Sequence, residues 1–345
     1  MKLAASAACV VTLACCAPAQ AQSFSDLALD GRPDRLQRLA AAAKKEGTLN
    51  YYTSIPERDV AVLAEDFGRR YGIKVNLWRA SSVKVLQRAV AEGRANRWEF
   101  DLASVSAPEM EAMHRELLLQ EVRSSHHSDL LPEAMPSHRD WVPQFLNVFV
   151  QAYNTSRVGK HELPRTYAEL ADPKWKGRLG VEAADSEWYC GVVKSMGQEK
   201  GAKLFRDIVA TAGWSVRSGH SLLANLVASG EVPLALTVYS YRIEQLKSTG
   251  APIEWFGIDP VIGRSNGVGV SRRPPHPGAA LLFYEYLISD AQPLMVKMNY
   301  LAASKKAVSS LRGVKIRFID PGMSLDELGG CARAFDELNG GRDSH

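Results

Sequence analysis

From residue 33 onward, apolar positions follow two alternating periods. "PERDVAVLAEDFGRRYG" puts Val60, Leu63, Ala64, Phe67 and Tyr71 on one face of a helix, whereas "TLNYYT" before it and "IKVNLW" after it read as strands. A helical "PDRLQRLAAAAKKEG" precedes the first strand. A helical "VKVLQRAVAEG" separates the second from a third, "EFDLASV", which runs into the helical "SAPEMEAMHREL". Strand and amphipathic helix thus alternate three times, which predicts a parallel sheet with crossover helices.

A second series follows the extended run "QFLNVFVQAYNTSRV". It contains the strand "GRLGVEA", helical stretches through Cys190 and Leu204, and then "SGHSLLANLVASGEVPLALTVYSYRIEQLKSTG". Two more extended segments, "PIEWFGI" and the backbone-close "NGVGVSR", precede a last strong helix, "HPGAALLFYEYLIS". The pattern predicts an α/β lobe, a crossing to a second lobe, and a return. We expect lobe 1 over 22–147 and 268–320, lobe 2 over 148–267, and a tail over 321–345 assigned to neither. More than one crossing strand would make a hinge, with a ligand cleft between the lobes.

A length of 345 residues suits two such lobes, and 23% charged with 46% hydrophobic residues is ordinary for a soluble globular chain. The net charge of +4 supports neither a nucleic-acid partner nor a polybasic membrane arm. The first 21 residues stand apart. "MKLAASAACVVTLACCAPAQA" has one lysine, an apolar run and a small-x-small ending, the layout of a cleaved signal peptide with the mature chain starting at Gln22. A buried helix, or lipid attachment at Cys15 or Cys16, fits that stretch less well. Export leaves only Cys190 and Cys331. One bridge and two buried thiols both suit that pair, and no cysteine spacing matches a metal site.

Enzyme signatures are missing. Ser221 lies in "GHSLL" without the second glycine of a nucleophile elbow, no phosphate-binding glycine loop opens a helix, and H-E-x-x-H does not occur. His126 and His127 are adjacent in "SSHHSDLL", which reads as a solvated loop. We therefore expect no catalysis and no cofactor. Polar loops do stand at the ends of strands, where open α/β sheets bind ligands. "YTSIPE" offers Thr53 and Ser54, "WRASS" offers Arg79, Ser81 and Ser82, and "ASVSAPE" offers Ser104 and Ser106. Arg79 with two serines at a helix start is either an anion site or a simple N-cap beside a solvated arginine. In the second half, "EAADSEWY" supplies Asp185 and Ser186 near Glu182, and "RSGHS" supplies Ser221. Plain helix capping is the alternative role for such serines. The strand-to-helix junction "LTVYSYR" carries Tyr239, Ser240 and Tyr241.

With these segments assembled, the chain resembles the bacterial periplasmic solute-binding proteins of ABC importers, in the extracellular family that includes the ferric-ion-binding proteins. The resemblance is carried by "LNYYTSIPERDVAVLAEDFGRRYGIKV", "FDLASVSAPEMEAM", "VQAYNTSRV", "SGEVPLALTVYSYRIEQLKSTGAPIEW" and "NGVGVSRRPPHPGAALLFYEYLIS". It implies the type II two-lobed fold, a periplasmic location, a small-molecule solute, an inner-membrane permease as partner, and a monomer. Iron-binding members hold Fe³⁺ with two adjacent tyrosines, as suits a hard cation able to deprotonate a phenol. Here those positions read Ser240 and Tyr241, with Tyr239 one place earlier. The first loop has no histidine, and the family's carboxylate position falls nearest Ser106. The departures lead us to expect a small polar, anionic organic solute held by Arg79, the serines and Tyr241. The alternative is Fe³⁺ held by Tyr239 and Tyr241, with Tyr51, Tyr52 and Tyr153 as further phenols. A secreted enzyme and a ligand-free sensor are the rival classes.

Overall fold

The computed structural model describes residues 23–307 and 314–340, so the leader expected over 1–21 and the end of the tail lie outside the described residues. Three parallel strands open the fold: β1 (Thr48–Thr53), β2 (Lys74–Arg79) and β3 (Leu102–Ser106), in the order β2-β1-β3. The helices before and between them are α1 (Arg35–Glu46), α2 (Glu57–Tyr71) and α3 (Ser82–Arg94), and α4 (Ala107–Arg115) follows β3. In α2 the predicted face is the buried one, with Val60, Leu63 and Phe67 at 0% exposure. Each such side chain contributes about 1.5–3 kcal/mol by leaving water. Acidic Glu57 and Asp59 sit in its first turn and Arg69 and Arg70 in its last, each matched to the helix dipole. The helix stops at Gly72, whose φ of 71° lets its N–H cap the Gly68 carbonyl.

Four further strands are β4 (Trp141–Asn154), β5 (Leu179–Glu182), β6 (Leu234–Tyr239) and β7 (Val261–Ser271). β4 is buried along its whole length because it serves both lobes. Up to Val148 it pairs antiparallel with β7, which also lies antiparallel to β3; from Phe149 it pairs with β6, itself parallel to β5. The strand order is therefore β2-β1-β3-β7-β4-β6-β5, with Ser215–Arg217 on the far side of β5. β4 and β7 are the crossing strands. The glycines of "NGVGV" have a packing reason: a Cβ on Gly267 would come within 2.5 Å of the Trp141 ring.

Further helices include α5 (Ser186–Met196), α6 (His220–Ser229), α7 (Ser240–Ser248), α8 (Pro277–Ile288) and α9 (Pro321–Leu338). α8 is buried all round and packs on α1. α9, in the tail that the sequence left unassigned, packs against α4 on one side and α5 on the other, so it touches both lobes. A disulfide between Cys190 of α5 and Cys331 of α9 fixes it to the second lobe, resolving the two cysteines in favour of the bridge.

Candidate cleft at the lobe junction

A cavity of about 140 Å³ opens where the two sheets meet. Its floor comes from the crossing strands, where Asn147 and Phe145 of β4 stand opposite Arg264 and Asn266 of β7. The first lobe contributes Ser54 after β1, Ser82 at the start of α3, and Ser106 at the end of β3. The second contributes Tyr239, Tyr241 and His220. These are the carboxyl ends of strands, where the chain leaves the sheet and polar groups stay unpaired by neighbouring strands.

The strand-to-helix junction decides the tyrosine geometry. β6 ends at Tyr239 and α7 begins at Ser240, so Tyr241 lies in the first helical turn, yet both rings line the cavity. Their rings are near-parallel, at 18°, with centroids 5.9 Å apart. Ring contacts extend the series in both directions, to His220 at 3.8 Å from Tyr239 and to Tyr300 at 4.1 Å from Tyr241. The Tyr300 hydroxyl donates to Asp59 Oδ2 at 2.6 Å. Burial pushes the Tyr241 phenol up to about 12, and burial together with the negative charge of Asp185 pushes Tyr239 well above the usual phenol range. Both phenols are neutral at physiological pH until something positive arrives.

Charged groups surround this column. Arg264 donates to the Tyr239 hydroxyl and pairs with Glu187 of α5. His220 Nε2 meets Asp185 Oδ1 at 3.2 Å, while His220 Nδ1 is buried without a partner. Glu182 accepts from the backbone N–H groups of Ala184 at 2.7 Å and Gly219 at 2.8 Å, which fixes the loop that presents the histidine. Gly219 has φ 106°, a conformation that side chains strongly disfavour. Burial opposes the imidazolium of His220, but Asp185 and Glu182 outweigh it and raise its pKa. Glu182, Asp185 and His220 bring one donor atom each within 4.8 Å of one another. A second such grouping, Glu111, His114 and His138, lies outside the cleft.

Of the residues expected from sequence, Ser54, Ser82, Ser106, Tyr239 and Tyr241 line the cavity, and Asp185 reaches it through His220. The others do not. Thr53 and Ser104 are fully buried behind the wall, Thr53 accepting from Ile55 N and Ser104 donating to Gln144 at 2.5 Å. Ser81 caps α3 by accepting from Lys84 N at 3.4 Å. Arg79 is exposed at the end of β2, where its charge still favours the Tyr241 phenolate. Ser186 opens α5, Ser240 is buried at the start of α7, and Ser221 points to solvent while its neighbour His220 faces the cavity. Tyr153 pairs with Leu234 at the opposite end of β6, about 17 Å along the strand from Tyr239, and packs on Phe256. Tyr51 is buried against Phe283, and Tyr52 donates to Glu92 at 2.8 Å. His220, Arg264, Asn147 and Asn266 were missed. The "GHS" triplet at a strand-to-helix junction was a usable signal for His220, whereas Arg264 becomes a site residue only through the β4–β7 register.

Residues 104–255 match the family described as bacterial extracellular solute-binding protein. The "Iron uptake protein A1" of Synechocystis sp. is 28% identical over 310 residues, covering 84% of this chain and 86% of that one. The "Major ferric iron-binding protein" of Neisseria gonorrhoeae is 24% identical over 289 residues, covering 81% and 83%. Among solved structures, iron-bound HitA from Pseudomonas aeruginosa superposes with a TM-score of 0.73 at 20% identity, covering 85% of this chain and 98% of that chain. AfuA from Actinobacillus pleuropneumoniae, with exogenous fructose-6-phosphate bound, gives 0.70 at 20% identity, covering 86% and 97%. Residues 104–255 thus carry the sequence signature of a bacterial extracellular solute-binding protein, and the described residues share the two-lobed fold of these solved structures. The curated relatives named here, at 24–28% identity, are named for iron. No helix among the described residues is long and apolar enough to cross a membrane.

Proposed function

We propose that this chain is the Fe³⁺-binding component of an ABC importer, exported to the periplasm by a cleaved leader and docking as a monomer on an inner-membrane permease. The observation that carries this reading is a cavity of about 140 Å³ on which two phenols and a buried, unpartnered imidazole nitrogen converge. That volume falls below the roughly 300–1,000 Å³ of ordinary small-molecule pockets, and it suits an ion with its ligands better than an organic molecule. Tyr239 and Tyr241 bind as phenolates, leaving one of the three positive charges for the rest of the shell. His220 binds through Nδ1, held in orientation by Asp185 on its other nitrogen, the usual carboxylate–histidine support for a ligating imidazole. It takes the place of the histidine missing from the first loop. Relatives named for iron uptake support the same choice. The role asks for capture and release and no chemistry on the solute.

The organic anion expected from sequence remains as a second reading because Arg264 and three serine hydroxyls line the same cavity. One experiment separates them. Metal-stripped protein titrated with Fe³⁺ from a weak chelate should develop a visible tyrosinate charge-transfer band saturating at one iron per chain, and Tyr241→Phe should weaken or abolish it. A colourless titration, together with binding of a phosphate-bearing organic solute that Arg264→Ala removes, would replace iron by the second reading.

A further inference from the structure

On the first lobe, away from the cleft, a cavity of about 570 Å³ lies between the start of α1, the loop 123–128 and α8. It shares no lining residue with the cleft. Four arginines reach it, Arg32, Arg35, Arg123 and Arg139, against two carboxylates, Asp30 and Glu285. The carboxylates are already engaged. Asp30 pairs with Arg32 at 2.9 Å and also with Arg38, while Glu285 pairs with Arg35 Nη1 and accepts from Ser124 Oγ at 2.5 Å. Among the described residues, neither carboxylate of this cavity pairs with Arg123 or Arg139.

Arg35 is the decisive group. It is only 7% exposed, and both its Nε and Nη2 are buried with no hydrogen-bond partner. A buried charged donor left unmade costs more than a neutral one, so the position calls for an acceptor. His127 adds a second unmet need: its Nε2 is taken by the Tyr284 hydroxyl at 2.8 Å, and its Nδ1 is buried without a partner. The backbone fixes Arg123 and Arg139 beside this pair. Arg123 N–H donates to the Ala28 carbonyl at 3.0 Å, and the Arg139 carbonyl accepts from Val122 N at 3.4 Å. The Arg123 guanidinium lies so close over Gly31 that a Cβ there would come within 3.1 Å of it.

We propose that this cavity is an anion site for a small phosphate-bearing molecule, with Arg35 as its buried anchor and Arg123 and Arg139 as its outer clamps. Guanidinium forks match the paired oxygens of a phosphate, and the volume lies within the range of small-molecule pockets. The site is independent of the iron reading.

The test is calorimetric titration of the mature protein with inorganic phosphate and with pyrophosphate, ionic strength being held constant with chloride. One saturable site per chain is expected, at least about tenfold weaker in Arg123→Ala and in Arg139→Ala, the loss of one charge-assisted hydrogen bond. Both arginines are exposed, so these variants should stay folded. Tyr241→Phe should leave the phosphate affinity unchanged. A response that chloride reproduces, or saturable binding that survives both arginine replacements, would overturn the proposal.

Discussion

On the first lobe's side of the cleft, the polar groups satisfy one another. Ser82 Oγ lies 3.1 Å from Ser106 Oγ and accepts from Ser106 N at 3.2 Å. On the second lobe's side stand two neutral phenols forced up in pKa by burial, Tyr239 accepting from Arg264 and Tyr241 bonded to Tyr300, and an imidazole with one nitrogen held and the other without a partner. The second lobe thus carries the groups that gain most from a cation, and the first supplies a hydroxyl-lined cover. The lobes also touch beside the cavity. Gln245 of α7 donates to Asp59 of α2 at 3.2 Å and to the Met298 carbonyl at 3.0 Å, next to the stacked Tyr241 and Tyr300 rings. On the proposed iron reading, this asymmetry predicts capture by the second lobe followed by closure of the first.

The asymmetry is broken most strongly by protons. Neutral phenols must each lose one to bind Fe³⁺, so at fixed free Fe³⁺ the apparent affinity should rise about tenfold per pH unit for each, roughly a hundredfold per unit together, and fall as the medium is acidified. Below the raised pKa of His220 a third proton competes, steepening the loss. Proton release measured in weakly buffered protein should be about two per iron near pH 7.5 and about one in Tyr241→Phe. A count of zero would mean that the second lobe binds its solute without phenolates.

Next in size is the histidine and its support. His220→Ala removes the proposed ligand and should weaken iron binding by at least about 100-fold, whereas Asp185→Asn, which touches only the far nitrogen, should cost about 10–100-fold. Equilibrium competition against a chelator reads both. Equal, small effects would assign His220 to packing on Tyr239.

The same two lobes differ in how much of them could be read beforehand. The α/β alternation and a strand-to-helix junction near Tyr239 follow from hydrophobic periods that are local in the chain, and local patterns survive folding, whereas the helix start at Ser240 was favoured by the family resemblance alone. Ser54, Ser82 and Ser106 were legible because strand ends are where such sheets place ligands. Arg264 was not, since it becomes a cleft residue through its register opposite Asn147, more than a hundred positions away. His220 and Ser221 show the finest scale of the failure: a loop placed correctly, but the facing side chain off by one. Arg79 looked like a ligand because arginine beside serines suits an anion, but a β2 edge position leaves its side chain in solvent.

Arg79 therefore gives the last and smallest test, best run beside Ser106. Ser106→Ala removes a hydroxyl from the cavity wall that bonds Ser82, so it should weaken solute binding by about 0.5–1.5 kcal/mol, the net worth of one neutral hydrogen bond. Arg79→Ala removes a charge that is exposed and lies outside the cavity lining, where water and salt screen it. Its remaining influence is the long-range favouring of the Tyr241 phenolate, so loss should slightly weaken binding, by less than about 0.5 kcal/mol, and the effect should fade as salt is added. A larger, salt-resistant loss at Arg79 would mean that closure brings its guanidinium onto the solute. The first lobe would then contribute charge as well as cover.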